Sequence, residues 1–253
     1  MTVIRKYEHL FFDLDNTLWD FDANAKSALH QTVAELKLDQ QIEDFGTFYS
    51  FYEEVNTRLW EAYRRQEIRK PELIRERFRI TLENFGLAAT DPVEVNDHYL
   101  RIMPSYTQLI EGTIETLDWL RARNYHLHII TNGFKEVQSL KMKNSGLTPY
   151  FERVFVSEEV NAPKPDKRIF RHALMNCNAR KSRSLMIGDS WETDILGAKQ
   201  FGMHQVYFCR NMQNFLSPPQ KDPATIQKQK ILQNTPQKDT IVIKNLTSLM
   251  DFL

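Results

Sequence analysis

Short apolar runs bounded by polar residues recur along the chain, and their spacing constrains its fold more than any other feature. They begin at His9, His126, Arg153, Ser184, Gln205 and Thr240. Runs this short are typical of buried strands in a parallel sheet. Stretches of helical length separate the later runs, and residues 113–123, for example, place Ile114, Leu117 and Leu120 on one face. Because alternating strands and helices imply right-handed crossovers, the sequence predicts an α/β fold with a doubly wound, Rossmann-like parallel sheet.

One long stretch after the first run interrupts this alternation, because it contains no convincing strand pattern. Its apolar residues recur at helical spacing instead, as Phe48 and Tyr52 do. A helical insert of roughly eighty residues is too long to be a simple loop. The predicted organisation is therefore an all-α cap domain of residues 21–104, inserted into an α/β core domain of residues 1–20 and 105–253.

Polar residues that can carry chemistry follow four of the predicted elements. They are Asp13 and Asp15 after the first run, Thr131, Asn132 and Gly133 after the second, Lys164 between two prolines, and Asp189 and Asp194 after the fourth. Each has a simpler explanation taken singly, because Asp and Asn favour turns, Thr and Asp cap helices, and most lysines are solvated. The carboxyl ends of parallel strands, however, meet at one edge of a sheet, where ligands bind. We therefore expect these groups to lie together.

This ordered set resembles the motifs of the haloacid dehalogenase-like superfamily. The matching stretches are DLDNT at 13–17, Thr131 after an apolar strand, Lys164 before a proline, and GDSWETD at 188–194. The helical insert is similar to the cap of the superfamily's commonest branch. Within that branch, DLDNTLWDF at 13–21, VNTRLWEAY at 55–63 and the stretch 131–170 resemble pyrimidine 5′-nucleotidases that act on noncanonical nucleotides.

The resemblance implies a mechanism for the strand-end residues. Asp13 is expected to attack phosphorus and form an aspartyl-phosphate, and Asp15 to act as general acid and then general base. Mg²⁺ is expected to bind Asp13, the backbone carbonyl of Asp15 and Asp189, with Asp194 supporting the metal shell through water or Lys164. Thr131, the backbone amides of Asn132 and Gly133, and Lys164 are expected to hold the phosphoryl oxygens.

The implied function is Mg²⁺-dependent hydrolysis of a phosphomonoester, most specifically 5′-nucleotidase action on pyrimidine nucleoside monophosphates. Dehalogenases need no general acid, so Asp15 argues for phosphoester hydrolysis. A sugar-phosphate phosphatase or a phosphomutase of the same fold remains open. A non-catalytic protein that binds a phosphorylated metabolite would have lost a nucleophile, an acid or a metal ligand, and here all of them are present.

Selection among substrates is expected from the cap and the loop that leads into it. The candidate contacts are Trp19, Phe21, Asn56, Trp60 and Tyr63. The alternative for Trp19 and Phe21 is hydrophobic packing, and for the others it is a packed or solvated cap position. A basic stretch in the middle of the cap is interpreted, for most of its members, as a solvated helix face balanced by nearby Glu. Its members are Arg64, Arg65, Arg69, Lys70, Arg75, Arg77 and Arg79.

Composition limits the partners. Lys and Arg together number 33, as do Asp and Glu, so the formal net charge is zero. This balance gives no reason to expect a nucleic-acid polymer or a membrane surface as partner. The two cysteines form no CxxC motif, and no apolar run suggests a leader or a membrane span, so we expect a cytoplasmic protein. Residues 211–239, rich in Pro, Gln and Lys, are predicted to be a mobile surface excursion. The oligomeric state is left open.

Overall fold

The computed structural model describes residues 6–210 and 240–253. The prediction for residues 211–239 lies outside the described residues. Within the described part of the chain, no helix is long and apolar enough to cross a membrane.

A parallel sheet forms the centre of the α/β unit. Its strands are β1 (His9–Phe12), β2 (His126–Thr131), β3 (Arg153–Val156), β4 (Ser184–Gly188), β5 (His204–Phe208) and β6 (Ile241–Ile243). Their spatial order is β3-β2-β1-β4-β5-β6, and every neighbouring pair runs parallel. This order confirms the predicted α/β, Rossmann-like fold. The direction of winding reverses between β1 and β4, and open sheets of this kind bind ligands at such a point.

Apolar residues of the central strands account for the short runs in the sequence. Leu10, Phe11 and Phe12 of β1 are fully buried, and since successive side chains of a strand point to opposite faces, both faces of the sheet are covered at β1. Phe11 packs in one cluster with Ile130 and Met186 from the neighbouring strands. Burying one such side chain contributes about 1.5–3 kcal/mol to folding. The sheet centre is therefore rigid enough to hold polar groups in place at its carboxyl edge.

From β2 to β5, one or two α-helices separate successive strands, whereas the connection from β1 to β2 contains five. The α-helices of the described residues are α1 (Phe21–Glu35), α2 (Phe45–Arg64), α3 (Lys70–Asn84), α4 (Pro92–Ile102), α5 (Thr113–Ala122), α6 (Lys135–Asn144), α7 (Ser157–Val160), α8 (Lys167–Asn176) and α9 (Gly197–Phe201). The chain divides into two compact units. The α/β unit contains Met1–Trp19, Leu109–Lys135 and Leu147–Leu253, and the helical unit contains Asp20–Gln108 and Glu136–Gly146. The predicted borders at 20/21 and 104/105 stay a prediction, and the helical unit differs from the predicted cap mainly by including most of α6.

In the helical unit, aspartates cap the N-termini of three helices, and aromatic rings fill the interior. Asp20, Asp44 and Asp91 cap α1, α2 and α4 by accepting hydrogen bonds from backbone amides of the first turn. Inside the unit, the rings of Tyr52 and Phe78 stack with centroids 5.1 Å apart. The spacing of apolar residues in the sequence predicts this interior, because residues three and four apart share one helix face.

Arg77 is the exception within the basic stretch of α3. It is buried, with 3% of its surface exposed, so it does not belong to the solvated face that is predicted for most of the stretch. The physical reason is its register, since Arg77 lies four residues after the fully buried Leu73 and next to the buried Phe78. Arg79, by contrast, pairs with Glu83 on the outer surface as the interpretation requires.

Candidate active site

Two aspartates lie side by side where the winding of the sheet reverses. Asp13 follows β1 directly, and Asp189 follows β4. The two strands are in register, and the Asp13 amide donates to the Ile187 carbonyl at 2.9 Å. The sheet thus brings two carboxylates together that are far apart in the sequence, at the edge where the sequence predicts the site.

Lys164 is the centre of this site. Its Nζ lies 2.6 Å from Asp13 Oδ1 and 2.7 Å from Asp194 Oδ1, and it donates to the Ile130 carbonyl at 2.8 Å. Only 2% of Lys164 is exposed, so these three acceptors replace water around the ammonium group. Charge-assisted hydrogen bonds of this length are the strong ones in proteins. The structure therefore brings together Asp13, Lys164 and Asp194.

The side chain of Asn132 holds the loop that carries Lys164. Its amide nitrogen donates to the Lys164 carbonyl at 3.0 Å, and its Oδ1 accepts from the Lys164 backbone amide at 2.8 Å. Sequence reasoning assigned Asn132 only a backbone role and missed this pair of hydrogen bonds. The neighbouring Thr131 is buried at the end of β2, and its Oγ1 accepts from the Gly133 amide at 3.2 Å. The residues predicted to bind phosphate are thus neighbours at the site.

Asp194 lies in a wide π-helical turn, Trp191–Leu196, that precedes α9. The residue that caps this turn is Ser190, whose side chain accepts from the Thr193 amide, so the simpler explanation of Asp194 as a helix cap is wrong. Asp194 is fully buried, and its Oδ2 accepts from the Ser190 amide at 3.1 Å. A Cβ at Gly188 would lie 2.2 Å from that same Oδ2. Gly188 is therefore required for the carboxylate to reach Lys164.

Thr17 ties the loop after β1 to the end of β4. Its hydroxyl donates to Asp189 Oδ1 at 3.0 Å and accepts from the Asp189 amide at 3.1 Å. The side chain is fully buried. Sequence reasoning gave Thr17 no separate role, because a threonine in a polar loop carries no signal of such a distant partner.

The electrostatics of the site favour a bound cation. Burial raises the pKa of Asp13 to about 7, with Lys164 opposing and Asp194 adding to the rise. Burial, and then the Asp13 carboxylate, raise the pKa of Asp189 well above its usual value. Burial alone would lower the pKa of Lys164, but the two carboxylates outweigh it and raise that pKa. One ammonium group thus faces more carboxylates than it can neutralise.

The carboxylates also fit a hard divalent ion by chemistry. Asp13, Asp189 and Asp194 each offer one oxygen within 4.8 Å of the others. Oxygen-only donor sets suit Mg²⁺ and related ions. Because the oxygens of Asp194 already accept from Lys164 and Ser190, Asp13 and Asp189 are the better ligands. The expected role of Asp194 in support of the metal shell stays a prediction.

The remaining candidates lie in their two units as follows. In the α/β unit, Asp15 is partly exposed and forms a backbone bridge with Trp19, whose side chain is fully buried. That burial favours the packing alternative for Trp19. In the helical unit, Phe21 begins α1, and its ring lies 5.1 Å from Lys141 Nζ.

Three candidates share α2. Asn56 is 9% exposed and accepts a hydrogen bond from Arg77, whereas Trp60 and Tyr63 are half-buried, with ring centroids 5.6 Å apart. Arg77, on α3, is the hydrogen-bond partner of Asn56, and sequence reasoning did not predict this contact.

Known proteins match this chain over most of its length. The family model described as haloacid dehalogenase-like hydrolase matches residues 7–202. Pyrimidine 5′-nucleotidase PynA of Streptococcus pneumoniae is 33% identical over 203 residues, which cover 80% of this chain and 84% of PynA. Pyrimidine 5′-nucleotidase YjjG of Escherichia coli is 33% identical over 199 residues, which cover 78% of this chain and 84% of YjjG.

A solved structure matches the fold as well. It is a crystal structure of the putative HAD-hydrolase YfnB from Bacillus subtilis bound to magnesium, with a TM-score of 0.80, 26% identity and 98% of each chain covered. The family model spans well over half of the sequence, and both relatives exceed 30% identity. The chain, with its aspartates and lysine at the carboxyl edge of a Rossmann-like sheet, therefore belongs to the haloacid dehalogenase-like hydrolases.

Proposed function

We propose that this hydrolase is a phosphatase that cleaves pyrimidine nucleoside monophosphates through an aspartyl-phosphate on Asp13. The observation that carries the proposal is the contact of Lys164 with both Asp13 and Asp194, beside Asp189. A buried lysine so placed holds a carboxylate in one orientation and supplies positive charge for an incoming phosphate. The printed names of PynA and YjjG support the substrate class.

The first step transfers the phosphoryl group to the protein. Asp13 Oδ1 accepts from Lys164, so Oδ2 is the oxygen that attacks phosphorus. The P–O bond to the nucleoside breaks, and Asp15 donates a proton to the departing 5′ oxygen. In the second step Asp15 takes a proton from water, the water oxygen attacks phosphorus, and the Asp13–phosphorus bond breaks to release inorganic phosphate.

The neighbouring groups hold the phosphoryl oxygens during both steps. The Thr131 hydroxyl and the backbone amides of Asn132 and Gly133 are the proposed donors, and the Lys164 ammonium group is proposed to attract the phosphoryl oxygens by its charge. The side chain of Asn132 keeps the Lys164 loop in place through its two hydrogen bonds. Asp194 keeps the ammonium group directed at Asp13.

Mg²⁺ is the proposed cofactor, held by Asp13, Asp189 and the backbone carbonyl of Asp15. When bound, the ion neutralises negative charge between the carboxylate and the phosphate. The raised pKa values of Asp13 and Asp189 support this assignment, because the buried carboxylates lack sufficient positive charge from the protein itself.

The substrate class is tested with a panel of phosphomonoesters. The core groups contact only the phosphoryl part, so kcat/KM reports how the rest of the substrate is selected. We expect dUMP and dTMP to be hydrolysed with higher kcat/KM than dAMP or a hexose phosphate at the same Mg²⁺ concentration. Preference for the hexose phosphate would favour the sugar-phosphate phosphatase alternative, and preference for dAMP would contradict the pyrimidine assignment.

A further inference from the structure

Arg210 connects the end of β5 to the loop that follows β1. Its Nη2 donates to Asn16 Oδ1 at 3.3 Å, although the two residues are 194 positions apart in the sequence. Both belong to the α/β unit, and β4 lies between β1 and β5 in the sheet. Neighbouring strands are about 4.8 Å apart, so this contact bridges the carboxyl end of β4, where Asp189 lies. Arg210 is therefore part of the edge that carries the aspartate–lysine site, and sequence reasoning assigned it no role.

Asn16 determines the path of the loop that carries Asp15. Its φ of 59° lies in the left-handed region, which asparagine and glycine adopt more readily than other residues. The Asn16 amide donates to the Trp19 carbonyl at 2.8 Å, and the Trp19 amide donates to the Leu14 carbonyl at 2.9 Å. These bonds close residues 14–19 into a compact turn. Because Asp15 lies inside this turn, directly before Asn16, a displacement of Asn16 displaces Asp15 as well.

The turn is attached to the sheet edge from two directions. On its buried side, Thr17 forms two hydrogen bonds with Asp189, which follows β4. On its outer side, the half-buried Asn16 accepts from the exposed Arg210, which follows β5. The second attachment restricts the rotation that the first one leaves to the turn. A general acid works only within hydrogen-bond reach of the oxygen that it protonates, so this restriction bears directly on the proposed role of Asp15.

We propose that Arg210 is a positioning residue for Asp15, and that it acts through its hydrogen bond to Asn16. In this role it holds the turn so that the Asp15 carboxyl group reaches the departing oxygen of the phosphomonoester. Arg210 itself contacts neither the phosphoryl group nor the proton in transfer. The inference deepens the proposed function and rests on one part of it, the general acid role of Asp15. It is independent of the choice between nucleotides and sugar phosphates.

Arg210→Met tests the proposal with two substrates of nearly the same shape, phenyl phosphate and p-nitrophenyl phosphate. Methionine keeps an unbranched side chain but has no donor. Phenolate is the poorer leaving group and depends more on the proton from Asp15. We expect the ratio of kcat/KM for phenyl phosphate to kcat/KM for p-nitrophenyl phosphate to fall by about threefold to tenfold, the usual range for loss of one hydrogen bond. General damage to the site would lower both values and leave the ratio unchanged.

Asn16→Gly removes the acceptor of the same hydrogen bond. Glycine adopts a φ of 59° without strain, so the turn keeps its backbone conformation. The ratio should fall as it does in Arg210→Met, and the double variant should show no further loss, because both substitutions remove one interaction. If Arg210 acted by its charge alone, Asn16→Gly would keep the wild-type ratio. That result would overturn the proposal.

Arg183→Met is the matched control in the same unit. Arg183 immediately precedes β4, at the opposite edge of the sheet, and its Nη1 lies 2.7 Å from Glu8 Oε1. The substitution thus removes an arginine from a polar contact that is remote from the turn. We expect the wild-type substrate ratio in this variant, with folding of all variants checked by thermal melting. A fall equal to that of Arg210→Met would contradict a specific role for the contact with Asn16.

Asp15→Asn distinguishes failure of the inference from failure of the proposed function. If Asp15 is the general acid, this variant loses activity by about a hundredfold or more on phenyl phosphate and by clearly less on p-nitrophenyl phosphate. Equal losses on both substrates would remove the acid role, and the inference would fall with it. If Asp15→Asn shows the difference and Arg210→Met keeps the wild-type ratio, only the inference falls.

Discussion

Lys164 and Arg77, two buried cations in different units, are surrounded in opposite ways. Lys164 in the α/β unit contacts two carboxylates, with a third nearby. Arg77 in the helical unit donates its side-chain hydrogen bonds, among the described residues, to the neutral amides of two asparagines and lies over two aromatic rings. The first arrangement carries excess negative charge and suits metal-assisted chemistry on a phosphate. The second leaves the cation's charge uncancelled, and the guanidinium donors turn the oxygens of both amides toward Arg77. Burial of a cation thus goes with excess negative charge in one unit and with uncancelled positive charge in the other.

Asp13→Asn is expected to have the largest effect. It replaces one carboxylate next to Lys164 by a neutral amide, so that Lys164 gains a neighbour of the kind that Arg77 has. The variant lacks the nucleophile and one charge of the proposed metal site, so we expect phosphate release to fall by about 10⁴-fold or more. Phosphate release from dUMP measures the effect, with mass spectrometry to exclude deamidation and circular dichroism to check the fold. Activity near the wild-type level in a verified variant would rule out the covalent mechanism.

Gly188→Ala tests whether Lys164 needs its second carboxylate. The added methyl group would lie 2.2 Å from Asp194 Oδ2, so Asp194 must move away from the lysine. We expect kcat to fall by about a hundredfold, and the free energy of unfolding to fall by about 1–3 kcal/mol.

Gly146→Ala is the control for that substitution. Its φ of 72° is strained for alanine, but nothing lies within 4 Å of the added carbon. Stability should fall by about 1 kcal/mol with kcat unchanged. Equal losses of kcat in both glycine variants would contradict a specific role for the Gly188–Asp194 contact.

His128 is a third buried titratable group, and unlike Lys164 and Arg77 it is buried in its neutral form. It is 1% exposed, its Nε2 lies 3.1 Å from His9 Nδ1, and burial followed by His9 lowers its pKa from 6.5 to about 4. The unfolded chain therefore takes up the proton first as the pH falls. Stability should be complete above pH 6.5 and decline toward pH 4, with a loss on the order of 2 kcal/mol by pH 5.

Denaturant unfolding of the wild type and of His128→Gln at pH 7 and pH 5 measures this effect. The variant should lose less stability between the two pH values than the wild type does. The same loss in both proteins would show that other groups cause the acid sensitivity.

The sequence predicts the strands and their polar ends well, because each depends on neighbouring residues. All six predicted strands agree with the structure within a residue or so at their ends. The roles of Thr17 and of the Asn132 side chain depend on partners at Asp189 and Lys164, far along the chain. No local sequence pattern indicates such distant hydrogen-bond partners.

Arg77 shows the same limit in a helix. A basic residue among other basic residues favours a solvated face, and only the packing of α3 between α2 and α4 reveals that two asparagines meet it. Sequence reasoning did not predict the wide turn before α9 for a related reason. The position of the Asp194 side chain depends on its ion pair with Lys164 and on the space left by Gly188, and helix periodicity indicates neither.

The two hydrogen bonds between Thr17 and Asp189 span 172 positions of the sequence. During synthesis on the ribosome, the segment that carries Asp13 emerges early, but its partners on β4 and Asp194 emerge only after the whole helical insert. Pairing β1 with β4 must close this long loop, which is a slow step in folding. A nascent chain that stops before residue 194 therefore lacks the complete carboxylate–lysine cluster. Each new molecule is expected to gain hydrolase activity only after residue 194 has been synthesised and β1 has paired with β4.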